Sequence, residues 1–85
     1  MKVGIIGLGL IGGSLGLDLR NCGHIIYGVS RKESTCNRAL EKEVVDYADI
    51  NLKSLSTVDI IFICTPIGLI SQTLKQLIPH LSKEV

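Results

Sequence analysis

The chain has 85 residues, 46% apolar and 20% charged, with a formal net charge of +1. A chain of this length hides roughly 60–65% of the surface exposed when unfolded, enough for one small core, and its apolar content is that of a folded interior. Near-neutral charge with no extended lysine–arginine run argues against a nucleic-acid footprint, and the apolar stretches fall short of a bilayer span.

The first apolar run, Lys2-Val3-Gly4-Ile5-Ile6, reads as a buried parallel strand, since both of its faces would be covered. It breaks into Gly7-Leu8-Gly9-Leu10-Ile11-Gly12 and passes into a helix over Gly13 to Asn21. Ile11, Leu15 and Leu19 fall on one apolar stripe of that helix, with Gly12 and Gly16 on a neighbouring face where a sheet could approach closely. Gly23 is the expected C-terminal cap, and Ile25 to Val29 the second strand. Glu33 to Glu43 reads as an amphipathic helix with Cys36, Ala39, Leu40 and Val44 inward, starting at Ser30 or Lys32-Glu33. Val44-Val45 is the expected third strand, followed by a loop to Thr57 with one helical turn around Leu52 to Leu55. Asp59 to Cys64 is the clearest strand, apolar on both faces and stopped by Thr65-Pro66, because proline lacks the N–H a ladder requires. A last helix is expected over Ile67 to Leu81, with Ile67, Ile70, Leu74, Leu77, Ile78 and Leu81 in the 3.6-residue period and Pro79 ending it.

Strands alternating with helices predict an α/β fold: a Rossmann-type, doubly wound parallel sheet of about four strands in the order 3-2-1-4. Such a sheet is incomplete. The apolar Asp59–Cys64 strand would be left at an edge, and Glu84-Val85 looks like the approach to a further strand, so residues 1–85 are expected to be the N-terminal segment of a longer polypeptide. Cys22, Cys36 and Cys64 are odd in number and lack CxxC spacing, which suits a reducing cytoplasm. No histidine has a companion at metal-ligand spacing, and no acid–base pair or nucleophilic set can be assembled from these residues.

The glycine turn carries the chemistry. A GxGxxG pattern with a strand before it, a helix after it and a second strand closing the unit within about 30 residues is a dinucleotide fingerprint. Gly7 permits the tight turn, Gly9 admits a pyrophosphate close to the backbone, and Gly12 permits close helix–strand packing. The unpaired N–H groups near Leu10 and Ile11 would then face the phosphates. The end of the second strand selects the cofactor. Where NAD-binding units place a carboxylate for the ribose 2′-OH, this chain has Ser30, then Arg31 and Lys32, with Ser34 and Thr35 beyond. Hydroxyls and a guanidinium with no opposing carboxylate suit a 2′-phosphate, and the expected cofactor is NADP; Glu33, at a helix start, is expected to point away. Cys64, Thr65 and Pro66, at the end of the last strand, belong beside the nicotinamide half. Cys64 has no basic neighbour in sequence and reads as a small buried hydrophobe rather than a nucleophile.

Met1 to Leu15, Gly28-Val29-Ser30-Arg31 and Ile61-Phe62-Ile63-Cys64-Thr65-Pro66-Ile67 together resemble the N-terminus of the prephenate/arogenate dehydrogenases. Ser30 to Cys36 and Leu77-Ile78-Pro79-His80-Leu81 look most like the cyanobacterial-type, NADP-using arogenate dehydrogenases. The resemblance implies an oxidoreductase of tyrosine biosynthesis that oxidatively decarboxylates a cyclohexadienyl substrate, prephenate or arogenate. It implies pyrophosphate at Gly7, Gly9, Leu10, Ile11 and Gly12, the 2′-phosphate at Ser30, Arg31 and Thr35, and the nicotinamide side at Cys64, Thr65 and Pro66. It also implies a catalytic histidine and a helical substrate and dimerisation domain beyond Val85, so that the full-length form would be a homodimer and the 85-residue segment inactive alone. Gly13 departs from the alanine common at that position in the family. Two rival readings are another dehydrogenase, such as a 3-hydroxyacid dehydrogenase or pyrroline-carboxylate reductase, and a non-catalytic nucleotide-sensing module.

Overall fold

The computed structural model describes residues 1–65 and 67–81, with the backbone alone at Leu10 and Ile67. Expectations placed on Pro66, on the Ile67 side chain and on Glu84-Val85 lie outside the described residues. Strand β1 (Lys2–Ile6) is followed by helix α1 (Leu10–Asn21), β2 (Ile25–Val29), α2 (Glu33–Glu41) and β3 (Tyr47–Asp49). A 3₁₀ turn at Leu52–Leu55 then leads to β4 (Ile60–Ile63). A 3₁₀ turn at Ile67–Leu69, helix α3 (Ile70–Leu77) and a closing 3₁₀ turn at Ile78–His80 complete the described chain. None of these helices is long and apolar enough to cross a membrane.

All strand pairs are parallel and the order is β3-β2-β1-β4, as the alternating pattern predicts. Along each strand the side chains alternate between two cores. Val3, Ile5 and Ile26 join Leu8, Ala39 and Val45 on the face covered by α1 and α2. Ile6 and Val29 join Leu55, Val58 and Leu77 on the opposite face, under α3 and the 3₁₀ turns. Helices on both faces explain why β1 is apolar throughout rather than alternating.

Helix α1 ends as expected at Gly23, where φ is +92°. The Gly23 N–H donates to the Arg20 carbonyl and the His24 N–H to the Leu19 carbonyl, the paired closure that favours glycine at this position. Its buried stripe, however, differs from the expected one. Leu15 and Leu19 pack on the first core, but Ile11 is 76% exposed because the first turn overhangs the sheet's end. Helix α2 starts at Glu33, with Lys32 as its capping residue, and buries Cys36 and Ala39; Leu40 is exposed. In α3 the apolar period is also only half used: Leu77 is buried, whereas Leu74 and Ile78 are exposed. Pro79 closes the helix into its final 3₁₀ turn.

The third strand is not Val44-Val45 but Tyr47–Asp49. Glu43 turns the chain with φ +57°, held by a 2.7 Å hydrogen bond from Arg20 Nη1 to its carbonyl. Val44 then passes beneath α1, its carbonyl oxygen 2.6 Å from where a Cβ on Gly16 would sit, and Val45 is buried as a core residue. Asp46 resumes the pairing through a carboxylate that accepts from the Ile26 N–H at 2.7 Å. Tyr47 stacks on Tyr27 of the neighbouring strand, ring centroids 4.8 Å apart.

Candidate functional site

A cavity of about 690 Å³ opens at the carboxyl ends of β1, β2 and β4, where open α/β sheets hold their ligands. Gly7, Gly9, Ser30, Arg31, Thr35, Cys64 and Thr65 all line it. Of the other expected residues, Leu10, Ile11 and Gly12 form the first turn of α1. Pro66 lies outside the described residues.

The turn that forms the floor needs its glycines for separate reasons. Gly7 has φ +94°, and a Cβ there would lie 2.8 Å from the Cys64 carbonyl oxygen. Its N–H donates to the Val29 carbonyl at 2.8 Å and the Cys64 N–H donates to the Ile6 carbonyl at 2.7 Å, so the three strand ends are tied together beneath the cavity. A Cβ on Gly12 would collide with the Gly7 carbonyl oxygen, which is the close helix–strand packing the motif predicts. Leu8 is anchored differently: its δ-carbons fill the space that a side chain at Gly28 would occupy, and it is buried in the first core. Gly28 is thus a site-forming residue that the motif alone does not reveal. The requirement comes from packing across the sheet, not from the turn.

Helix α1 starts at Gly9 without a side-chain cap and without an acidic residue in its first turn. Its first intrahelical bond runs from the Gly13 N–H to the Gly9 carbonyl at 2.8 Å, leaving the N–H groups of Leu10, Ile11 and Gly12 for an outside acceptor. With the positive end of the helix dipole beside them, these donors suit an anion.

The β2 end supplies a second cationic corner. Ser30, Arg31, Lys32 and Thr35 line the cavity together, and no carboxylate lines it among the described residues. Glu33 is exposed and outside the lining, in keeping with its expected direction. Ser30 is held by its N–H donating to the Asp49 carbonyl at 3.1 Å. On the β4 side, the Thr65 hydroxyl oxygen is enclosed without a hydrogen-bond partner among the described residues, the sort of polar atom that a ligand group would satisfy. Partial burial pushes the Cys64 thiol above its ordinary pKa, consistent with a packing role for this residue.

The outer wall is absent from the sequence reading. Ile50, Asn51 and Leu52 reach the cavity from the loop after β3, and Leu69, Thr73, Gln76 and His80 from α3 and its flanking turns. Thr73, Gln76 and His80 recur at three- and four-residue spacing, a polar row beside the apolar one that could have marked this face. His80 therefore faces the cavity margin.

The arrangement as a whole (unpaired helix N–H groups, a glycine floor, a cationic corner and an enclosed hydroxyl) fits an extended phosphate-bearing ligand. Comparison with known proteins agrees. The family model "Prephenate dehydrogenase, nucleotide-binding domain" matches residues 15–85. Among solved structures, arogenate dehydrogenase from Synechocystis is 58% identical with a TM-score of 0.95, over 96% of this chain and 30% of that one. Prephenate dehydrogenase from A. aeolicus, in complex with hydroxyphenyl propionate and NAD+, is 24% identical with a TM-score of 0.91, over 100% of this chain and 31% of that one. The (S)-3-hydroxybutyryl-CoA dehydrogenase PaaH1 from Ralstonia eutropha shares the fold alone, at 17% identity and a TM-score of 0.85, over 99% of this chain and 38% of that one. No curated protein matches the sequence. The chain spans about a third of the length of the solved structures named here. It belongs to the prephenate dehydrogenase family, to which it contributes nucleotide-binding-domain sequence.

Proposed function

We propose that this chain is the NADP-binding segment of a cytoplasmic prephenate or arogenate dehydrogenase acting in tyrosine biosynthesis. Bound NADP would supply the hydride acceptor for oxidation of a cyclohexadienyl substrate, whose loss of CO₂ forms the aromatic ring. This chain's own residues bind and orient. The N–H groups of Leu10, Ile11 and Gly12 donate to the pyrophosphate over the floor made by Gly7 and Gly9, and Ser30, Arg31 and Thr35 hold the 2′-phosphate. Cys64 and Thr65 wall the nicotinamide half, where the enclosed Thr65 hydroxyl has a proton to donate. Acid–base chemistry on the substrate, and the homodimer of the full-length enzyme, belong to sequence beyond this segment.

The single observation that carries the NADP reading is the corner at the end of β2, where Ser30, Arg31, Lys32 and Thr35 line the cavity and no carboxylate among the described residues does. Each charge-assisted hydrogen bond to a 2′-phosphate contributes roughly 1.5–3 kcal/mol, so two of them give well over tenfold preference over NAD. Ser30→Asp places a carboxylate against that phosphate. In the full-length protein it should weaken NADP+ binding by at least about tenfold while sparing NAD+, as read by titration with each dinucleotide. Unchanged relative affinity for the two cofactors would remove the NADP reading and leave the family assignment standing.

A further inference from the structure

Behind the cationic corner lies a buried side chain to which the cofactor reading gives no part. Cys36, in the first turn of α2, is 4% exposed, and its neighbour Thr35 lines the cavity. The Cys36 thiol donates to the carbonyl oxygen of Ser30, with sulfur and oxygen 3.8 Å apart. The segment between them is closed a second time, since the backbone N–H groups of Thr35 and Cys36 donate to the Lys32 carbonyl at 3.1 and 3.2 Å.

The remaining polar atoms of Ser30 are also engaged. Its N–H donates to Asp49, and its hydroxyl oxygen accepts from the Lys32 N–H at 3.4 Å. What is left is the hydroxyl hydrogen, available to an oxygen in the cavity. Arg31, by contrast, makes no hydrogen bond or ion pair among the described side chains, so the point from which its guanidinium reaches the cavity is set by the peptide that joins it to Ser30. That peptide's oxygen is the atom Cys36 holds.

We propose that Cys36 is a positioning residue for 2′-phosphate recognition: its buried thiol fixes the Ser30–Arg31 peptide against α2, so that Ser30, Arg31 and Thr35 aim their donors at one anion. The role rests on the NADP reading above. Without the thiol the Ser30 carbonyl loses its partner, the peptide is free to turn, and the guanidinium follows it. NAD carries no phosphate at this place and depends on the glycine turn instead. The effect therefore falls on the ratio of the two affinities rather than on dinucleotide binding in general.

The test measures dissociation constants for NADP+ and NAD+ in the full-length protein, with thermal stability alongside. Cys36→Val removes the donor and nearly keeps the volume. It should raise the NADP+ constant about three- to tenfold and leave the NAD+ constant within about twofold, and Cys36→Ser, which retains a donor, should recover most of the loss. Cys36→Ala carries the same expectation as valine should the branched side chain not pack. In an Arg31→Ala background, replacing Cys36 should weaken NADP+ binding by a smaller factor than in the wild type, because the charged member of the group it aims is gone. An unchanged NADP+ constant, or equal weakening of both cofactors, overturns the role and reduces Cys36 to core packing. A wild-type protein with no preference for NADP+ overturns the reading beneath it as well, and that result is visible before any substitution is made.

Discussion

At the scale of single residues, the turn separates what the fold needs from what a ligand needs. A Cβ at Gly12 meets a backbone carbonyl that cannot move without shifting α1 from the sheet, whereas a Cβ at Gly9 meets nothing within 4 Å. Gly9→Ala should therefore leave stability within about 0.5 kcal/mol of wild type. It should nonetheless weaken NADP+ and NAD+ together, by about tenfold or more, because the methyl group occupies the approach to the helix N-terminus. Gly12→Ala should lose both, and its denaturation midpoint should fall with its affinity. Equal stability for the two variants would show that the close contact at Gly12 relaxes freely. Cys64 makes a related point about chemistry. Its thiol sits above the ordinary pKa because burial disfavours the thiolate, so at pH 8 it should alkylate more slowly than the exposed Cys22. Mass spectrometry after brief iodoacetamide treatment reads the order directly, and earlier labelling of Cys64 would contradict it.

At the scale of elements, the departures from expectation share one cause: local pattern does not say which neighbour an element will meet. Asp46 illustrates this. Its carboxylate accepts from Arg20 Nε at 3.0 Å and from the Ile26 N–H at 2.7 Å, so one side chain joins the last turn of α1 to the β2–β3 pair. Asp46→Ala leaves a strand N–H without its acceptor and frees the guanidinium that restrains Glu43, and should cost about 2–3 kcal/mol in chemical denaturation. A loss below about 0.5 kcal/mol would mean that water replaces the carboxylate. This junction also displaces the third strand to Tyr47–Asp49. Val44-Val45 has the stronger strand composition, but the bend at Glu43 sends Val45 into the core and delays pairing until Tyr47 can stack on Tyr27. The four-strand order, the Gly23 cap and the Leu52–Leu55 turn were legible because local signals and tertiary packing agree there. Ile11 leaves its stripe because a helical stripe records periodicity and not where the sheet beneath it stops. The same limit hid the α3 wall of the cavity, which exists only because α3 and the loop after β3 are brought to one face.

Across the whole molecule, the cavity is assembled from both layers at once, with its floor tied to three strands and its walls drawn from opposite faces of the sheet. The radius of gyration, 11.6 Å, matches the roughly 12 Å expected for a folded unit of this length, so the two cores form one body rather than loosely joined halves. That body has two unlike edges among the described residues. The β3 edge is three residues long and ends in Asp49, a short charged margin of the kind that resists pairing. The β4 edge presents Ile60–Ile63, paired on one side to β1, with Ile60 41% exposed. An apolar edge of this kind pairs readily with another copy, and the isolated 85-residue polypeptide should self-associate as its concentration rises. Ile60→Lys puts a desolvation cost on edge-to-edge pairing and leaves both cores untouched, so it should shift the polypeptide toward monomer. Size-exclusion chromatography with light scattering compares the two. A wild-type polypeptide that stays monomeric at millimolar concentration, or a lysine variant that associates equally well, would show that the twist of the sheet already protects the edge.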